Sequence, residues 1–125
     1  MGCISALVQL LAWAPVDIPG MQYPVLARAA YAQGKVVVQC VIANDGTVRK
    51  ATVISGHPLL APAAANSART WRFGRPLGDT HDDVFLVTFD FRLEGRCGDT
   101  GCKENFVLHY PDSVTVTSEY PGVQP

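Results

Sequence analysis

From Lys35 the chain places Val36, Val38, Cys40 and Ile42 on one side of an extended segment and Val37, Gln39, Val41 and Ala43 on the other. Both faces are apolar, so an interior strand is predicted. Asn44, Asp45 and Gly46 then separate it from "TVRKATVIS", a second β-branched run carrying Arg49 and Lys50. This is the pattern of a hairpin whose return strand is partly exposed. In "HPLLAPAAANSARTWRF", Leu60, Ala64, Ala68 and Trp71 recur at helical spacing, which predicts a helix starting near Ala61 and Pro62, with its alanine face on the sheet and Trp71 filling its end. "VFLVTFDFRLEG" alternates Phe85, Val87, Phe89, Phe91 and Leu93 with Leu86, Thr88, Asp90, Arg92 and Glu94. One side of that strand is core and the other is wet.

Weaker patterns flank these elements. "YPVLARAAYAQG" opens with Pro24 and closes with Gly34, predicting a helix of about ten residues with Gly34 as its C-cap. "NFVLHY" and "SVTVTSEY" are two further strand candidates separated by Pro111. There is no internal repeat and no linker between domains.

At 125 residues the chain is one domain by length. Its net charge is −1, with acidic and basic residues dispersed, so neither nucleic acid nor an anionic membrane surface is indicated. Arginine and aromatic residues interleave at "RTWRFGR", which reads better as a helix end with a core tryptophan than as a base-stacking site.

The opening "MGCISALVQLLAWAPVD" is uncharged before Asp17 and too short to cross a bilayer of about 30 Å. Residues 1–20 are read as a signal peptide or N-terminal apolar segment, with Ala12-Trp13-Ala14 as a small-x-small cleavage site and export as the expectation. The missing basic n-region and Pro15 count against a signal, and an ordinary buried segment is the other reading. Cys3 lacks a lipobox context.

Cys97 and Cys102 are separated by "GDTG", a loop able to close a structural disulfide in an oxidising compartment. Zinc would need four ligands, and the spacing is not that of a redox Cys-x-x-Cys pair. Cys40 reads as a small buried hydrophobe. For catalysis the best cluster is His81-Asp82-Asp83, which reads better as a solvated loop because no nucleophile or glycine-rich cradle lies near it. His57 reads as a residue leading into the helix and His109 as part of a tail strand. No enzyme activity, cofactor or metal is expected.

Taken in order, Tyr23-Pro24, Gly34 with Val36, Asp45-Gly46 with Val48, Val53 with Ser55-Gly56, Pro58, the alanines of the second helix, Trp71-Arg72-Phe73, and Phe89, Phe91 and Leu93 resemble the C-terminal domain of the TonB family of periplasmic energy transducers. The resemblance covers residues 23 to 93. It implies an α+β fold, a small antiparallel sheet of about three strands, plus tail strands if they join it, with the first hairpin strand central and two helices on one face. The domain boundaries expected are 21–95 for the TonB-like domain and 96–125 for the disulfide loop and tail.

In that family the domain binds the TonB box, an extended segment of an outer-membrane transporter, as an added strand beside the last strand of the sheet. Carried over, the acceptor edge is Val84, Leu86, Val87, Thr88, Phe89, Asp90 and Arg92, and the partner is an extended peptide segment of an outer-membrane or other envelope protein, met in the periplasm. No anchor or spacer of the family's energy transducers is recognised, so binding without energy coupling is expected. The chain continues past Leu93, and either tail strand candidate could fill this edge. A structural or assembly protein with a capped edge is therefore the alternative, and strand exchange between two copies stays open.

Overall fold

The computed structural model describes residues 14–74, 83–109 and 112–122. In chain order these form β1 (Ala14–Asp17), α1 (Val25–Ala29), β2 (Gly34–Ile42), β3 (Val48–Ser55), α2 (Ala61–Arg69), β4 (Arg72–Gly74), β5 (Asp83–Arg96), β6 (Asn105–His109) and β7 (Ser113–Tyr120). The main sheet has five strands in the order β3-β2-β5-β7-β6, and β1 and β4 form a separate two-stranded sheet. The expected sheet of about three antiparallel strands is therefore corrected. Both tail segments join it, and β5 pairs with β7 in parallel, so the sheet is mixed.

The hairpin forms at the expected turn. Asp45 Oδ1 accepts from the Thr47 backbone N–H at 3.0 Å and from its hydroxyl at 2.6 Å, fixing the reversal locally. These two bonds hold the Asp45 carboxyl below its usual range. Gly46 has φ 89°, and a Cβ there would lie 2.2 Å from the Phe73 carbonyl oxygen, so the turn needs glycine both for its backbone and for the close approach of β4.

One face of the sheet carries the core. Val36, Val38, Cys40 and Ile42 of β2, Val87, Phe89, Phe91 and Leu93 of β5, and Val114 and Val116 of β7 are all buried, and the registers Val36↔Phe89 and Phe91↔Val116 set them side by side. Ala27 from α1 and Ala64 and Ala68 from α2 close over them. Trp71 lies beside Phe89 at 5.6 Å between ring centroids, and Tyr23 meets Phe91 edge-on at 5.5 Å. The opposite face is open, and its Leu86 is 53 % exposed.

The first helix is shorter than its alanines suggest. It stops at Ala29 because Tyr31 takes φ 59°, and Ala32 N–H donates to the Ala27 carbonyl while Tyr31 N–H donates to that of Arg28. That closure is the one usually built around glycine at the first residue past the cap. Tyr31 therefore takes the role expected of Gly34, which is instead the first residue of β2. No helix among the described residues is long and apolar enough to cross a membrane.

Candidate functional site: the outer edge of β5

A β-strand offers its N–H and C=O groups to alternate sides. Leu93 N–H turns toward the β2 side, where the Gln33 side-chain oxygen accepts it at 2.9 Å. Thr88 N–H turns the other way, to the Asp112 carbonyl at 2.9 Å. By this alternation Val84, Leu86, Thr88, Asp90 and Arg92 present their backbone groups to the outer edge. Val87 and Phe89 present theirs to β2 and point their side chains into the core.

The edge is divided in two. From Thr88 onward β7 lies along it in parallel register, Thr88↔Ser113, Phe89↔Val114, Asp90↔Thr115, Phe91↔Val116, Arg92↔Thr117 and Leu93↔Ser118. Before Thr88 the register has not begun, and the outward backbone groups of Leu86 have no backbone partner among the described residues. The expected acceptor residues thus all lie on one strand, but Thr88, Asp90 and Arg92 are engaged by the chain's own tail. On the open face Arg92 donates to the Asp90 carboxylate at 2.9 Å, which holds the guanidinium proton more tightly than usual.

The tail is fastened at its far end by residues the sequence reading did not single out. Tyr120 packs edge-on against Tyr31 at 5.3 Å and its hydroxyl accepts from the Gln33 side-chain amide at 3.0 Å. Arg28 donates to the Ser118 hydroxyl at 3.3 Å and pairs with Glu104 at 3.7 Å. Nothing local marks these residues, because Arg28 and Ser118 lie 90 positions apart. A conspicuous sign was available only in Arg28, the single charge in an otherwise apolar helical stretch.

Cys97 and Cys102 are disulfide-bonded, and the bridge closes the loop beside the end of β7. Cys97 N–H donates to the Tyr120 carbonyl at 2.8 Å, and Lys103 N–H to the Glu119 carboxylate at 2.7 Å. Cys40 is a free buried thiol, pushed up to about 11 by burial, so it stays protonated and unreactive at neutral pH. His81 and Asp82 of the candidate catalytic cluster lie outside the described residues, as do Cys3 and the cleavage-site residues Ala12 and Trp13. Among the described residues no group of three His, Cys, Asp or Glu side chains is placed to hold a metal ion.

The family described as Gram-negative bacterial TonB protein C-terminal matches residues 19–93. The chain belongs to the TonB C-terminal family. Its fold is similar to that of the Pseudomonas aeruginosa TonB C-terminal domain solved in solution, with a TM-score of 0.54 and 24% identity over 67% of this chain and 89% of that one. No curated protein matches the chain. The family match ends at Leu93, so β6 and β7, including the strand seated on the β5 edge, lie beyond the TonB-like residues.

Proposed function

We propose that the chain is a periplasmic protein–protein interaction module that accepts an extended segment of an outer-membrane transporter or another envelope protein by strand addition along β5, and that β7 holds this edge until the segment arrives. No catalytic step is involved. The observation that carries the reading is the seat of β7 itself. Its backbone completes the ladder at Thr88, Asp90 and Arg92 while Val114 and Val116 enter the core, which are the two terms of recognition by strand addition: main-chain bonds for affinity and alternate side-chain pockets for specificity. An incoming peptide would pair first beside Leu86, where the edge is open, and extend by replacing the tail. The disulfide at the tail's end agrees with an oxidising, exported location.

A second reading is favoured by one observation. Val114, Val116 and Ser118 are fully buried, as in an integral strand, and a permanently capped edge would make this a structural or assembly protein with its contacts elsewhere.

The two readings separate in one experiment. A synthetic peptide of a transporter's TonB box is titrated into the isotope-labelled chain and amide exchange is followed residue by residue. Under strand replacement the amides of Thr88, Asp90 and Arg92 change environment and β7 loses protection, while those of Val87, Phe89 and Phe91, bonded to β2, stay protected. No binding, together with outer-edge amides that exchange only on global unfolding, establishes the permanent cap.

A further inference from the structure

With β7 seated on β5, the sheet ends in two outer strands, β3 on one side and β6 on the other. They are defended differently. Edge strands escape unwanted pairing by carrying charge, proline or a bulge. β3 carries adjacent exposed Arg49 and Lys50, and its pairing with β2 is broken by two register shifts. β6 reads Asn105-Phe106-Val107-Leu108-His109, without a Lys, Arg, Asp, Glu or proline, and its register with β7 is unbroken.

The direction of the β6 backbone groups follows from the ladder. Thr88 N–H bonds the Asp112 carbonyl, so Ser113, Thr115 and Thr117 turn toward β6, and their partners His109, Val107 and Asn105 turn toward β7. Phe106 and Leu108 are left facing outward. In agreement, among the described residues Phe106 N–H is met only by the side-chain oxygen of its own neighbour Asn105, at 3.0 Å. That bond is a local substitute which a new strand would replace.

We propose that β6 pairs antiparallel with β6 of a second copy of this chain, about a two-fold axis at Val107, joining two five-stranded sheets into one. The sequence of the strand is complementary to itself in this register. Phe106 of each copy exchanges both backbone bonds with Leu108 of the other, so the outward groups of both residues are satisfied. The same pairing sets an aromatic side chain against an aliphatic one on the core face, where both are half-buried. Val107, 39 % exposed, meets its own copy on the open face, and His109 meets Asn105. No like charges are brought together. This interface uses β6, which reaches the sheet through β7, so it joins the two sheets while β7 is seated on β5.

The register makes a sharp test. At the axis Val107 forms a non-hydrogen-bonded pair with Cα atoms about 4.5 Å apart, within the span of a disulfide. Asn105 lies roughly 13 Å from its own copy. Mild oxidation of Val107→Cys should give a covalent dimer that neither Asn105→Cys nor the parent chain gives. By sedimentation the parent should weigh twice its 13.4 kDa, and a folded Val107→Lys should weigh the monomer mass, because two ammonium groups then meet at the axis. A parent that stays monomeric over its soluble range overturns the inference. So does a dimer that survives Val107→Lys, or one that crosslinks no better through Val107→Cys than through Asn105→Cys.

Discussion

Thr88 N–H donates to the Asp112 carbonyl at 2.9 Å, and this bond is where the tail first meets the strand that would otherwise be the sheet edge. Before it, Leu86 has β2 as its one strand neighbour among the described residues, and everything from Thr88 to Leu93 has a ladder partner in β7 as well. The residue proposed from sequence as the middle of a peptide-binding edge is therefore the boundary between the open position at Leu86 and the half filled by β7. The consequences of that boundary can be measured.

The first concerns how firmly β7 is held. Val116 is fully buried against Phe91, and truncating a buried valine removes two methyl groups from the core at a cost of about 2 kcal/mol. Val116→Ala should lower the denaturant midpoint accordingly, whereas Thr115→Ala, on the open face, should change it little. If β7 gives way to peptide, Val116→Ala should also raise peptide affinity, since the competing strand is weakened. An equal loss of stability with no gain in affinity is the outcome expected of a permanent cap.

Trp71 gives the second. It is buried between Phe73 and Phe89, and its indole N–H has no hydrogen-bond partner among the described residues. Trp71→Ala should cost about 3 to 5 kcal/mol through lost burial and a residual cavity. Trp71→Phe should cost well under that, because the ring contacts persist and an unsatisfied buried donor is removed. Urea denaturation of the two variants checks the order. Equal costs would mean that the indole N–H has a partner after all, or that the cavity left by phenylalanine cannot relax.

These cases mark what was legible in the sequence. The Asp45-Gly46 turn, the alanine face of α2 with Trp71 at its end, and the alternation of β5 are local patterns, and each appears where the spacing predicted it. The closure of α1 at Tyr31 was not legible, because alanines favour continuing a helix and the ring that packs on Tyr31 belongs to Tyr120, near the other end of the chain. The two tail strands were readable as strands, but nothing in "SVTVTSEY" says that it lies parallel to β5 with β6 outside it. β1 and β4 escaped because Ala14-Pro15-Val16-Asp17 and Arg72-Phe73-Gly74 are too short to show a period. The candidate edge was found as a strand; its occupant depended on long-range pairing.

The disulfide supplies the third prediction. It closes a loop of few residues, so reduction should lower stability by about 2 kcal/mol on the chain-entropy account. The loss should be localised. Cys97 and Lys103, on either side of the bridged loop, grip Tyr120 and Glu119, so in the reduced chain amide protection should fall first at the C-terminal end of β7 and last near Val114. Oxidised and reduced chains compared by residue-level exchange decide this, and a uniform loss along β7 would remove the assigned role of the loop in holding that end.

The last prediction concerns alkaline pH. Tyr23 is buried against Phe91, its hydroxyl donates to the Ala32 carbonyl, and its pKa is pushed up to about 12 by burial and, to a smaller extent, by Tyr120. The unfolded chain releases this proton near pH 10, the folded chain only near 12. Between those values the folded state binds more protons than the unfolded state, so stability falls as pH rises, while below about pH 10 this group contributes its full effect. Cys40 acts in the same direction over a lower range, from its ordinary 9.0 to about 11. Tyr23→Phe should therefore be less stable than the parent at pH 7, having lost the bond to Ala32, yet lose less on going from pH 9.5 to 11.5. Denaturant midpoints for both proteins across that interval should converge; parallel curves would place the alkaline sensitivity elsewhere.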